Sequence, residues 1–162
     1  MFGLFKKKED AKIVLASPMK GKAVELAQVN DPTFSEGMLG KGMAVIPTDG
    51  KVYAPADGEI SLVFDTLHAV SMTTEDGVEL LIHVGLDTVM LKGEGYISHV
   101  STGDKVKKGD LLLTADLDAI KAAGYDVITP MIVCNTDDYA EVEAVASDNV
   151  EVGADLVAIK SK

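Results

Sequence analysis

Of the three histidines in the chain, two stand in a setting that supports chemistry. Neutral imidazole is a nucleophile near pH 7 without the activation that serine or lysine needs. His68 and His83 lie on either side of Asp76-Gly77, in two runs of β-forming residues that extend from Phe64 to Thr88. Asp-Gly between two such runs is a strong signal for a two-residue hairpin loop. That loop pairs Glu75 with Val78, sets Val70 opposite His83 and sets His68 opposite Gly85. Side chains alternate faces along a strand, so Thr66, His68 and Val70 share one face with Leu81, His83 and Gly85. The two rings then become diagonal neighbours, with α-carbons about 7–8 Å apart. Moving the loop back by one residue sets them directly opposite. Only a loop of odd length would part them onto different faces.

Two imidazoles side by side suit the movement of a phosphoryl group. One ring nitrogen accepts the group while the other nitrogen of that ring is held by a hydrogen bond. The second imidazole donates a hydrogen bond to the phosphoryl oxygens, and Thr66 orients that second ring. Gly85, having no side chain, leaves room for a donor to come close. Such transfer asks chiefly for positioning and charge stabilisation, so few residues suffice. Asp87 would not stabilise a dianion and fits better as a rim charge steering a basic partner. His99, in Tyr96-Ile97-Ser98-His99-Val100, reads as a structural histidine.

The elements that must position these residues are strands. Short Val/Ile/Leu-rich runs at 13–16, 42–47, 60–64, 67–73, 78–84, 110–115, 128–135 and 156–159 alternate with Gly, Pro, Asp and Asn. Many short strands with glycine-rich turns predict an all-β, antiparallel sandwich or barrel. One or two short helical segments accompany it, at Asp116–Ala123 and over 33–39. The length of 162 residues suits one domain, read as 13–162 behind a flexible tail at 1–12. With no Trp and an aromatic share of 5%, the core must come from Val, Ile, Leu, Ala and Met. Cys134 closes the apolar run Met131-Ile132-Val133 and reads as a core residue.

A lone cysteine cannot form an internal disulfide, which fits a reducing compartment. No apolar run approaches the roughly 20 residues of a membrane span. Met1–Phe5 is too short for the apolar part of a secretory leader, so the expected location is cytoplasmic. A formal charge of −11 argues against nucleic acid and anionic membrane, and favours partners with basic patches.

The stretch Gly77–Val89, continued by Leu91-Lys92-Gly93-Glu94-Gly95-Tyr96, resembles the signature of the glucose-type IIA component of the bacterial phosphoenolpyruvate-dependent sugar phosphotransferase system. Asp31-Pro32-Thr33-Phe34, Gly40-Lys41-Gly42, Thr66-Leu67-His68-Ala69 and Thr129-Pro130 with Asn135 extend the similarity over 13–160. The resemblance implies that His83 is phosphorylated by the phosphocarrier HPr and passes the group to the IIB domain of a sugar permease. It implies that His68 assists through a hydrogen bond and that Thr66 helps it. An apolar collar for docking would comprise Phe34, Met38, Leu39, Phe64, Leu81 and Val89, with Asp31 and Asp87 outside it. No cofactor is required. Some members of the family bind zinc at a regulatory interface, which would fall here on His68 and His83 with a partner's carboxylate, and regulatory protein targets belong to the same picture. Leu67 stands where a polar residue often separates the threonine and histidine.

Two rival readings start from other residues. Pro18-Met19-Lys20-Gly21 is similar to the turn of biotin or lipoyl carriers, but its flanks do not match. His83 and Asp87 have ligand-like spacing for a zinc hydrolase, yet lie about 13 Å apart on a flat strand.

Overall fold

The computed structural model describes residues 12–162, which form fourteen strands and two short helices. In chain order these are β1 (Lys12–Ala16), β2 (Gly21–Glu25), α1 (Pro32–Ser35), β3 (Lys41–Pro47), β4 (Lys51–Tyr53), β5 (Gly58–Val63), β6 (Ala69–Thr74) and β7 (Glu79–His83). Then come β8 (Tyr96–Ser98), β9 (Lys105–Val106), β10 (Leu111–Ala115), α2 (Leu117–Ala122), β11 (Thr129–Val133), β12 (Tyr139–Ala144), β13 (Asp148–Val150) and β14 (Asp155–Ser161). The strands make three antiparallel sheets: an eight-stranded one ordered β13-β2-β3-β11-β7-β6-β5-β9, and three-stranded ones ordered β1-β14-β12 and β4-β10-β8. The all-β, antiparallel expectation holds. The expected tail lies outside the described residues except for Lys12, which opens β1 opposite Lys160.

Alternation on the central strands builds two apolar layers. Residues such as Met43, Val45, Leu80, Ile82, Met131 and Val133 point into a large core shared with the smaller sheets. Their neighbours Ala44, Ile132 and Val24 point the other way, into a small cluster with Val29, Phe34, Leu86 and Ile128. Every residue of β11 is therefore buried, which explains its continuous apolar run. α2 starts at the expected Asp116, whereas the helical segment expected over 33–39 is shorter and earlier, at Pro32–Ser35. Asp31 accepts the N–H of Thr33 at 3.0 Å ahead of Pro32, and Asp116 accepts that of Ala119 at 3.1 Å. Cys134 departs from expectation: it follows the last residue of β11 and is exposed.

The hairpin carrying the histidines closes differently from the two-residue reading. β6 and β7 pair Ala69 with His83, Val70 with Ile82 and Ser71 with Leu81. The loop is three residues, Glu75, Asp76 and Gly77, closed by a Thr74 N–H to Val78 carbonyl bond of 2.9 Å. Thr74 also accepts the Val78 N–H on its buried hydroxyl at 3.0 Å, and Gly77 takes φ +91. A three-residue loop ending in a left-handed glycine is a standard hairpin closure. Asn135, distant in sequence, fixes the choice: its side chain accepts the Glu79 N–H at 2.9 Å and donates to the Gly77 carbonyl at 3.0 Å.

A proline marks the other flank of β7. The β7–β11 register sets Met131 against Ile82, so the next rung would place Pro130 against His83. Cys134 donates its N–H to Glu79 on β7, so by alternation Pro130 faces the same way, where it has no N–H to give.

Candidate functional site

An odd-length loop should put the two histidines on opposite faces, yet their ring centroids are 4.7 Å apart with planes at 80°. Alternation governs extended backbone only, and His68 precedes the first residue of β6. It belongs to a tight turn in which Leu67 donates to the Phe64 carbonyl at 2.8 Å and adopts φ +61. That left-handed residue turns His68 back over the end of the hairpin, where its carbonyl accepts the Val84 N–H at 2.7 Å. The pairing of the rings was correctly expected, but the register that was to deliver it was not.

His83 ends β7 on the side of the small apolar cluster, beside half-buried Leu81. Its ring packs on buried Phe34, centroids 5.1 Å apart, and Phe64 meets His68 edge-on at 5.6 Å. His83 Nδ1 lies 2.7 Å from the Gly85 carbonyl. A carbonyl only accepts, so Nδ1 carries the proton and Nε2 is left with its lone pair. His68 Nδ1 lies 2.7 Å from the Thr66 hydroxyl, which also leaves His68 Nε2 free. With Thr66 donating, His68 Nε2 is an N–H donor, so the pair offers one lone pair and one donor side by side.

Both rings are held neutral. The pKa of His68 is lowered from 6.5 to about 4, by burial first and by the neighbouring His83 second, with the Thr66 bond opposing both. Burial likewise lowers that of His83, against the raising influence of the Gly85 carbonyl, Asp31 and Asp87. Asp31 and Asp87 thus act on the ring from a distance, as rim charges would.

The remaining expected residues divide. Met38, Leu39 and Val89 are exposed apolar side chains, and Met90, which the sequence reading passed over, is exposed beside Val89. Its signal was present in the apolar triplet Val89-Met90-Leu91. Gly85 does not provide an open approach. It is buried at φ +90, and a Cβ there would come within 2.6 Å of the Thr88 side chain and 2.8 Å of the Asp126 carbonyl. Its part in the site is the carbonyl that holds His83. His99 stands apart, bonded through Nε2 to the Thr114 hydroxyl at 2.7 Å. Lys20 lies 3.9 Å from Glu151. Among the described residues no three His, Cys, Asp or Glu side chains gather as a metal site, and no helix is long and apolar enough to cross a membrane.

The all-β frame thus presents two imidazoles side by side, each with its Nδ1 engaged and its Nε2 free, an arrangement that suits the carrying of a group. A family model described as "phosphoenolpyruvate-dependent sugar phosphotransferase system, EIIA 1" matches residues 13–139. The chain is 43% identical over 166 residues to the PTS system glucose-specific EIIA component of Halalkalibacterium halodurans, covering 99% of this chain and 96% of that one. It is 49% identical over 142 residues to the PTS system beta-glucoside-specific EIIBCA component of Dickeya chrysanthemi, covering 88% of this chain but only 22% of that protein. The solved structure of glucose permease IIA from Mycoplasma capricolum superimposes with a TM-score of 0.84 at 34% identity, covering 91% of this chain and 95% of that one. The chain belongs to the EIIA 1 family of the phosphoenolpyruvate-dependent sugar phosphotransferase system and is a phosphotransferase component of sugar transport.

Proposed function

We propose that this chain works in the cytoplasm, takes a phosphoryl group from HPr onto His83 Nε2, and passes it to the IIB domain of a glucose-type sugar permease. The observation that carries this reading is the ring pair, in which both Nδ1 atoms are engaged and both Nε2 atoms are free. The His83 Nε2 lone pair forms the new N–P bond as the N–P bond to the donor's nitrogen breaks, and that nitrogen keeps the bonding electrons. Positive charge grows on the His83 ring as Nε2 is phosphorylated, and the Gly85 carbonyl at Nδ1 stabilises it. His68 Nε2–H donates to the phosphoryl oxygens, with its ring set by Thr66.

Around the rings, Phe34, Phe64 and Leu81 form an apolar floor, and Met38, Leu39 and Val89 offer side chains for docking. Non-directional contacts of this kind tolerate partners of different shape, including regulatory ones. Asp31 and Asp87, on a chain of formal charge −11, favour partners with basic surfaces. The two imidazoles supply half of a tetrahedral zinc shell, so any zinc would be shared with a partner's carboxylate.

Incubation with phosphoenolpyruvate, enzyme I and HPr, followed by mapping of the labelled residue, tests the proposal. Label is expected on His83 and lost in His83→Gln. His68→Gln is expected to accept the group but to donate it to a IIB domain roughly ten- to a hundredfold more slowly. Label on any other residue overturns the reading, and unimpaired donation by His68→Gln removes that residue's role. Parallel reactions with glucose and beta-glucoside IIB domains identify the permease served.

A further inference from the structure

Two buried hydroxyls outside the ring pair converge on one backbone carbonyl beside it. Thr88 Oγ1 donates to the Val84 carbonyl at 2.8 Å, and Tyr96 Oη donates to the same oxygen at 2.8 Å. Thr88 is fully buried and Tyr96 is 5% exposed. A buried carbonyl is satisfied by one donor, so two hydroxyls on one oxygen use both its lone pairs. The position matters because Val84 joins His83 to Gly85, whose own carbonyl holds His83 Nδ1.

The turn at 84–86 is otherwise the part of the site most able to rearrange. Gly85 sits at φ +90, and glycine has little steric barrier to exchanging that conformation for another. The Gly85 carbonyl lies in the following peptide, and a change of φ at Gly85 that is not undone by ψ at Val84 would carry it away from His83. Four bonds oppose this. The Val84 carbonyl takes the two hydroxyls, the Gly85 N–H goes to the Ile128 carbonyl at 3.1 Å, and the Leu86 N–H goes to the Asp126 carbonyl at 3.0 Å. The two backbone bonds run to the segment before β11 and need no particular side chain, whereas the two hydroxyls are side-chain choices. Phenylalanine in place of Tyr96 would fill the same core space, and valine in place of Thr88 would keep its branched shape.

We infer that Thr88 and Tyr96 are positioning residues which clamp the Val84 carbonyl, keep the Gly85 carbonyl on His83 Nδ1, and so hold Nε2 as the nitrogen that reacts. This deepens the phosphocarrier reading and rests on it for the rate effect, but the tautomer it assigns is a property of the unphosphorylated protein.

The test measures that tautomer first. In ring-labelled protein above pH 7, long-range ¹⁵N–¹H spectra are expected to show His83 with its proton on Nδ1. The Thr88→Val/Tyr96→Phe double variant is expected to shift His83 toward a mixture with the Nε2–H form. Its rate of phosphorylation by HPr should fall roughly tenfold or more, and part of its label should move to Nδ1. Thr88→Ser, which keeps a hydroxyl, is expected to retain the parent tautomer and rate. A double variant with a native amide spectrum that still holds the Nδ1–H tautomer overturns the inference, whatever its transfer rate. If the double variant fails to fold, the single Tyr96→Phe and Thr88→Val proteins are read in its place, each expected to show a smaller shift. A folded single variant with the parent tautomer removes that hydroxyl from the clamp. Failure of any variant or parent to be labelled by HPr bears on the phosphocarrier reading and leaves the tautomer result standing.

Discussion

Along β7, Leu80 and Ile82 turn into the large core, while Leu81 and His83 turn the other way onto the small cluster beside α1. The first layer is closed by two further sheets, and its side chains include many that solvent never reaches. The second is thin and ends in exposed Met38, Leu39, Val89 and Met90. A single strand thus divides its duties by residue parity: one side supplies cohesion, the other a surface that partners can meet. The same alternation that builds the core decides which residue is offered to chemistry.

Substitutions on neighbouring residues break this comparison most sharply. Ile82→Ala, at 0% exposure, should cost about 2–5 kcal/mol in urea unfolding. Leu81→Ala, half-buried on the outer layer, should cost about 1 kcal/mol but slow transfer to the IIB domain. Equal losses of stability from the two would show that the outer layer is as cohesive as the inner.

The next effect comes from pH. Above 6.5, His68 is neutral whether folded or unfolded and adds no pH dependence. Below that, the unfolded chain binds a proton that the buried ring refuses, so stability falls as pH drops from 6.5 to about 4 and then levels for this group. The loss should be about 3 kcal/mol by the usual 1.36 kcal/mol per pKa unit. Urea midpoints at pH 7.5 and 4.5, compared between the parent and His68→Gln, isolate it. A parent and variant that lose stability equally over this range would place His68 in a more solvated setting.

The smallest effect concerns Leu67, whose left-handed backbone is costly for a bulky residue but whose side chain packs on the core. Leu67→Asn relieves the first and loses the second, so stability should change by less than about 1 kcal/mol. A larger drop would mean that core packing, rather than turn geometry, holds the loop that carries His68.

Much of the molecule was readable beforehand because its signals are local. Asp116 before Leu117 announces a helix start that the structure retains. The strands at β1, β3, β10 and β14 declare themselves as apolar runs between turn residues. β12 does not, because only Val142 of its six residues is buried. The closeness of His68 and His83 was legible from their types and spacing, but the hairpin register was not. That register depends on Asn135 holding both Gly77 and Glu79, a contact between segments far apart in sequence. Cys134 misled for the opposite reason: its apolar neighbours belong to β11, and the strand stops one residue short of it.

Pro130 leaves a gap in the sheet beside His83. It withholds one of the two bonds that would join His83 to β11, and the seam resumes past it, where Gly85 donates its N–H to the Ile128 carbonyl at 3.1 Å. Behind His83 the strand is paired on both sides, and ahead of it the Val84 and Gly85 N–H groups are still held, by the His68 and Ile128 carbonyls. The imidazole at that position stands on a backbone held fixed on either side of the gap. A substitution there that restored an N–H would fill that gap and make the β7–β11 seam continuous through Gly85.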